Sequence, residues 1–141
     1  MTRIKNKVIL FSKKRERLGS ELLLNGGFDT DSGWTITSSS WSIANGIATG
    51  LGVVGGQLYQ TERVFALKKY VVTFEITAYT SGTVQAKVGN LVFGTARSAI
   101  GVYTEVLTRD SDNINNSFHL RANPSIGFVG SIDNVSVREV L

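Results

Sequence analysis

The chain has 141 residues, a formal net charge of +4, 42% hydrophobic residues and 18% charged residues. This length and balance are typical of one globular domain with a sizeable core, and they exclude an intrinsically disordered protein. The absence of cysteine excludes disulfide bonds, thiolate metal sites and a cysteine nucleophile. The apolar runs are too short for a signal-peptide core or a membrane span, so we expect a chain made in a cytoplasm.

The positive charge is concentrated at the N-terminus. Residues 1–19 carry seven basic and one acidic residue, a net charge of +6, whereas the rest of the chain carries eight basic and ten acidic residues, a net charge of −2. The chain therefore divides into a basic arm, residues 1–20, and a domain, residues 21–141. The apolar centre of the arm, residues 8–11, fits either a helical stripe or a short strand, and periodicity does not distinguish them.

From Leu22 onward the pattern is typical of β-structure. Asn45-Gly46 between apolar segments predicts a tight hairpin, and Gly89-Asn90 predicts a second one. Residues 58–64 and 132–140 are predicted strands, residues 50–56 a flexible loop, and Ser81-Gly82 a turn between two strands. About nine short strands without a helix predict a β-sandwich or barrel.

Alternation of apolar and polar residues predicts which side chains face the core, because every second residue of a strand lies on the same face. The clearest case is the strand that begins near Tyr70, with an inward phase that runs to Ala78. The predicted inward residues are Tyr70, Val72, Phe74, Ile76, Val84, Ala86, Val88, Leu120, Val135 and Val137.

Two segments near the ends of the domain carry a family resemblance. The first is Leu22-Leu23-Leu24-Asn25-Gly26-Gly27-Phe28-Asp29, followed by Gly33-Trp34-Thr35 and Trp41-Ser42-Ile43; the second is Gly130-Ser131-Ile132-Asp133-Asn134-Val135-Ser136-Val137. Together they resemble the opening and the final strand of carbohydrate-binding-module-like (galactose-binding-like) jelly rolls. The resemblance covers residues 21–140. It implies an antiparallel jelly-roll sandwich in which Trp34 and Trp41 belong to the core.

The same resemblance implies two candidate ligand sites. Asp29 and Asp133 stand where members of this family often hold a structural calcium ion; the alternative is that Asp29 caps a turn and Asp133 binds loop backbone. Glycan binding needs exposed aromatic rings, and the candidates are Tyr59, Tyr79 and Tyr103, with packing at the edge of the core as the alternative for each.

No catalytic residue is predicted. His119 is the only histidine, and we interpret it as a structural residue. The acidic residues of the domain form no motif of paired carboxylates, so we expect a protein that is not an enzyme. Apart from the calcium ion, no cofactor is expected.

Jelly rolls of this type occur in secreted glycan-active enzymes and in bacteriophage virion proteins, both tail fibres and head decoration proteins. Because the chain combines such a domain with a basic arm, the leading hypothesis is a phage head decoration (cement) protein, made in the bacterial cytoplasm and located in the virion. The alternative is a glycan- or receptor-binding module of a phage tail or a cell-surface protein.

The arm is the expected contact with a partner, which we take to be the major capsid protein or another virion protein. A homotrimer is expected, and contact with nucleic acid is the less favoured alternative because the arm lacks interleaved aromatic residues. No membrane contact is expected. The arm residues assigned to the partner are Arg3, Lys5, Lys7, Val8, Ile9, Leu10, Phe11, Lys13, Lys14, Arg15 and Arg17.

Overall fold

The computed structural model describes residues 16–111 and 115–141. Over these ranges it contains strands and no helix, and no described helix is therefore long and apolar enough to cross a membrane. The strands are β1 Leu18–Glu21, β2 Thr35–Ile36, β3 Trp41–Ala44, β4 Ile47–Leu51, β5 Gln57–Gln60, β6 Lys69–Gly82, β7 Val84–Val88, β8 Val92–Phe93, β9 Gly101–Thr108, β10 Phe118–Ala122 and β11 Phe128–Val140.

The strands form two antiparallel sheets. The six-stranded sheet has the order β3-β4-β11-β6-β9, with β1 also paired to β11, and the five-stranded sheet has the order β2-β5-β10-β7-β8. Strand β11 pairs with β4 through residues 129–132 and with β1 near its C-terminal end, so one long strand joins both ends of the domain. The predicted all-β antiparallel jelly-roll sandwich is confirmed.

The core lies between the sheets. Each of the ten side chains that alternation assigned to the interior is at most 5% exposed, and Trp34 and Trp41 are buried as well. Strand β6 contributes Tyr70, Val72, Phe74 and Ile76 from the six-stranded sheet, and β7 and β10 supply the opposing layer. All ten predicted inward assignments are therefore confirmed.

The first predicted hairpin is present. Asn45 and Gly46 join β3 to β4 with φ values of 55° and 77°. Two successive residues in the left-handed region are what a tight hairpin turn of this type requires, and asparagine and glycine tolerate that conformation best. The turn fixes the register in which Ala44 faces Ile47.

The other turns and strand ends differ in part from the prediction. Gly82 joins two strands that lie in different sheets, so the chain crosses the sandwich there. The crossing needs glycine, because Gly82 has a φ of 79° and a Cβ at this position would lie 2.1 Å from the carbonyl oxygen of Gly127. Strand β5 ends at Gln60, β4 extends through Leu51 into the predicted loop, and β11 begins at Phe128.

The end of the arm also belongs to the sheet. Leu18, Gly19 and Ser20, which the sequence assigned to the arm, form β1 with Glu21 and pair with β11. Arg17 is exposed, and its carbonyl oxygen accepts a hydrogen bond from the amide of Leu141. The other residues assigned to the partner contact, Arg3 to Arg15, lie outside the described residues.

Candidate functional site

The outward side of the five-stranded sheet brings together aromatic and polar side chains. Strands β5 and β7 bury alternate residues, so those in between point away from the core. The register with these strands places His119 and Arg121 of β10 on the same outward side, although His119 is only 6% exposed. The strand register aligns Thr35, Tyr59, His119, Lys87 and Phe93 in one row across all five strands. We call this surface the five-stranded face, and its residues are Thr35, Gln57, Tyr59, Gln85, Lys87, Phe93, His119 and Arg121.

Two aromatic rings flank His119 and Lys87 in this row. Tyr59 and Phe93 are separated by three steps between neighbouring strands, which corresponds to about 14 Å. The Tyr59 ring stacks on the His119 imidazole with centroids 5.1 Å apart, and Phe93 remains 40% exposed. A ligand that touches both Tyr59 and Phe93 must be longer than a single sugar ring, so the row suits an extended molecule.

Two cationic side chains lie against the Phe93 ring. The Nζ atom of Lys87 is 5.6 Å from the ring centroid, and the guanidinium carbon of Arg121 is 5.4 Å from it. Such contacts hold long, flexible side chains in defined positions on an aromatic surface. The charged groups therefore flank the ring and the middle of the row.

Several polar atoms of this face are buried and have no hydrogen-bond partner among the described residues. They are Oε1 of Gln57, Nε of Arg121 and both ring nitrogens of His119. Buried polar atoms in folded proteins are normally paired, because each unpaired one costs about 1–3 kcal/mol. A group of them on neighbouring strands indicates a surface whose hydrogen bonds are completed by a bound molecule or by water.

The electrostatics of the face favour neutral imidazole at ordinary pH. Burial of His119, together with the nearby charges of Lys87 and Arg121, lowers the pKa of the imidazole to about 4. Burial and the charge of Arg121 also lower the pKa of Lys87. His119 can thus donate one hydrogen bond and accept another.

The outward side of the six-stranded sheet differs in this respect. There the hydroxyls of Thr73 and Thr104 are 3.0 Å apart, and the amide of Asn134 donates to Glu75 at 2.9 Å. These polar groups satisfy each other within the sheet. Unpaired buried groups therefore distinguish the five-stranded face as the candidate site.

The structure separates the three tyrosines that the sequence proposed for glycan contact. Only Tyr59 lies on the five-stranded face. Tyr79 packs near Phe128, with ring centroids 6.3 Å apart, and donates a hydrogen bond to the Gly82 carbonyl. Tyr103 packs near Phe74, with ring centroids 5.8 Å apart. Both are partly buried against the core, so they do not join Tyr59 in one site.

A β-bulge explains the position of Tyr79. Opposite Ser131 and Ile132 of β11, strand β6 uses Ala78 and Ile76, so it carries one extra residue at this point. An extra residue reverses the alternation beyond it. The predicted inward phase therefore fails at Ala78, which is exposed, while Tyr79 turns toward the core.

The two candidate calcium ligands are only partly satisfied by protein groups. Asp29 is exposed, and Oδ1 of Asp133 accepts a hydrogen bond from the amide of Asn134 at 2.7 Å. The described residues hold no group of three or more His, Cys, Asp or Glu side chains placed to share a metal ion. Calcium binding at Asp29 and Asp133 stays a prediction.

Most residues of the five-stranded face were not predicted as site residues. Alternation along the sequence placed Gln85 and Lys87 outward, whereas His119 was interpreted as a structural residue. The missing information was that β5, β7 and β10 are neighbours although they are far apart in the chain. A lone histidine within an apolar strand, at an outward position, was the available signal.

Solved structures that resemble this chain include several carbohydrate-binding modules. The chain resembles the N-terminal cellulose-binding domain of β-1,4-glucanase C from Cellulomonas fimi, with a TM-score of 0.56 and 18% identity over 81% of this chain and 93% of that domain. For a family 29 carbohydrate-binding module the TM-score is 0.55, with 16% identity over 89% of this chain and 90% of that one. For the CBM22-1 xylan-binding domain from Paenibacillus barcinonensis it is 0.56, with 12% identity over 88% and 97%.

These neighbours confirm the resemblance to carbohydrate-binding-module jelly rolls at the level of the fold. Neither a protein-family model nor a curated protein matches the sequence. What the chain binds must therefore be argued from its own side chains.

Proposed function

We propose that this protein is a glycan-binding module and that the five-stranded face is its binding surface. The observation that carries the proposal is the row of Tyr59, His119, Lys87 and Phe93 across four adjacent strands, beside the unpaired polar atoms of Gln57 and Arg121. The structural likeness to modules named for cellulose and xylan supports the same class of ligand.

The side chains match the two kinds of contact that a sugar chain needs. The flat apolar faces of Tyr59 and Phe93 suit the C–H surfaces of pyranose rings. Gln57, His119 and Arg121 carry donors and an acceptor of the kind that sugar hydroxyl groups need, and some of their buried polar atoms have no partner among the described residues.

We further propose that the module binds without catalysing a reaction. Hydrolysis of a glycosidic bond normally uses two carboxyl groups flanking the bond. The outward positions of the five-stranded sheet that we have described carry amide, aromatic and basic groups and no carboxylate. The chemistry of this face therefore suits recognition.

The proposal is tested by replacing the two rings separately with alanine. We expect Tyr59→Ala and Phe93→Ala each to weaken binding on a glycan array about two- to tenfold, because each removes one stacking contact. The matched control is Phe65→Ala, since Phe65 is exposed to a similar extent, 45%, but lies in the loop between β5 and β6. The protein should be presented in multivalent form, because binding by a single site of this kind is weak.

The outcomes of this experiment are distinct. Equal binding by wild type and all three variants would place the sugar contact elsewhere on the molecule. Loss of binding in Phe65→Ala alone would assign it to the loop. Absence of binding to any glycan on the array would remove the proposed function.

A second proposal, attachment to a phage capsid through the arm, rests on the charge of +6 over residues 1–19. Strand β1 begins at Leu18, so a deletion of residues 2–15 removes none of the described strands. We expect the shortened protein to keep its melting temperature and to lose co-sedimentation with capsids, and to keep its glycan binding. Undiminished co-sedimentation would exclude the arm as the anchor.

A further inference from the structure

The charge of the five-stranded face is opposite in sign to that of the domain. Residues 20–141 carry eight basic and ten acidic side chains. The face nevertheless groups the cations Lys87 and Arg121 on the adjacent strands β7 and β10, beside His119, which is neutral at ordinary pH and is the direct register partner of Lys87. This local excess of positive charge is therefore a property of the face.

No carboxylate of the described residues neutralises these charges. The ion pairs among the described residues are Lys68–Glu139, Arg97–Glu105 and Arg109–Asp110. None of them includes Lys87 or Arg121. Both side chains instead lie against the Phe93 ring. Two cations thus share one ring without a counter-ion.

This arrangement has a cost that an anion would remove. Arg121 has a buried Nε without a hydrogen-bond partner among the described residues. Charged groups that are partly removed from water and placed near a like charge are destabilised. The same burial and nearby positive charges lower the pKa values of Lys87 and His119. A negative group bound between the two cations would gain charge-assisted hydrogen bonds from both sides.

We propose, on the basis of the glycan-binding function proposed above, that the ligand of the five-stranded face is an anionic glycan, with a carboxylate or sulfate group bound between Lys87 and Arg121. Phe93 then carries the apolar face of the charged sugar unit. Tyr59 and His119 contact the next part of the chain along the row, and Gln57 binds a hydroxyl group. The structural neighbours named for cellulose and xylan thus support the fold of this chain. The charge on this face favours a different, negatively charged ligand.

The experiment compares polymers that differ only in charge. Binding of the full-length protein is measured at about physiological salt to polygalacturonate and to its fully methyl-esterified form, and to dextran sulfate and to plain dextran. The first pair tests a carboxylate and the second a sulfate. Because the basic arm attracts any polyanion, each polymer is also tested with two double variants of equal charge.

The double variants are Lys87→Gln/Arg121→Gln on the face and Lys68→Gln/Lys69→Gln, of which Lys69 is the first residue of β6 in the six-stranded sheet and Lys68 directly precedes it. We expect the face variant to bind the favoured anionic polymer at least about tenfold more weakly, and the control variant to bind it like wild type. Melting curves without ligand show whether each variant is folded. If the face variant is unfolded, the single change Lys87→Gln decides, with Lys69→Gln as its control.

The results separate this inference from the function on which it rests. Equal binding of charged and neutral polymers would overturn the anionic ligand and leave glycan binding intact. Anion binding that neither double variant weakens would assign it to the arm and overturn the inference. Equal weakening by both would make binding a matter of net charge and would overturn the inference as well. Binding to none of these polymers, together with a silent glycan array, would overturn both proposals.

Discussion

Replacing Phe74 with alanine is expected to lower the free energy of unfolding by about 3–5 kcal/mol. Phe74 is 1% exposed at the centre of β6, the strand that links β9 to β11, and its ring lies 5.8 Å from that of Tyr103. Removing the ring leaves a cavity between the two sheets, and a closely packed core closes such a cavity only in part. Urea denaturation followed by fluorescence or circular dichroism measures the loss.

The control for this prediction lies in the same strand. Val71 points to the other side of β6 and is only half-buried, so Val71→Ala should change the free energy of unfolding by much less. Similar losses for Phe74→Ala and Val71→Ala would mean that the two positions do not face opposite sides of the sheet. The assignment of the core to the even-numbered residues between Tyr70 and Ile76 would then be wrong.

The position of Phe74 could be predicted because one physical rule decided it. From Tyr70 to Ile76, bulky apolar residues occupy every second position and the intervening residues are smaller or more polar, so only one phase buries the large side chains. Asn45-Gly46 was equally clear, because few other residue pairs tolerate two successive positive φ values. Where a single local rule operates, the sequence alone predicts the structure.

Tyr103 shows why other residues could not be placed. In β9 both phases contain apolar residues, with Val102 and Val106 on one side and Tyr103 and Leu107 on the other. The structure buries Leu107 and leaves Val102 and Val106 exposed. Which phase faces the core depends on how β9 pairs with β6, and that pairing is not encoded in the alternation of β9 itself.

The five-stranded face was hidden for the same reason on a larger scale. Tyr59, Lys87 and His119 come from separate parts of the chain, and each was predicted to lie on a strand. Their alignment follows from the sheet order β5-β10-β7, which arises from long-range pairing. The outward phase of each strand could be predicted, but the site could not, because a site requires knowledge of which strands are neighbours.

The burial of Arg109 could not be predicted from the sequence, since arginine is rarely buried unless it is paired. Its side chain is fully buried, and one guanidinium nitrogen donates at 2.9 Å to both the carbonyl and Oδ1 of Asp110. The other donates to the carbonyl of Asn115 and to Oδ1 of Asn116 at 3.1 Å. One side chain thus holds both ends of the connection between β9 and β10.

We expect Arg109→Met to lower the free energy of unfolding by about 3–4 kcal/mol. Methionine fills a similar volume but donates no hydrogen bond, so the Asp110 carboxylate loses its partner and the oxygens of Asn115 and Asn116 that Arg109 contacts lose that donor, while the Asp110 carbonyl keeps only the Leu67 amide. Arg109→Lys should fall between wild type and Arg109→Met, because lysine keeps the charge but cannot reproduce the planar fork that reaches both ends of the connection. Urea denaturation of the three proteins gives the comparison. A free energy of unfolding for Arg109→Met within about 1 kcal/mol of the wild-type value would show that the buried guanidinium contributes little net stability. That result is expected where the cost of removing a charge from water equals the gain from pairing it.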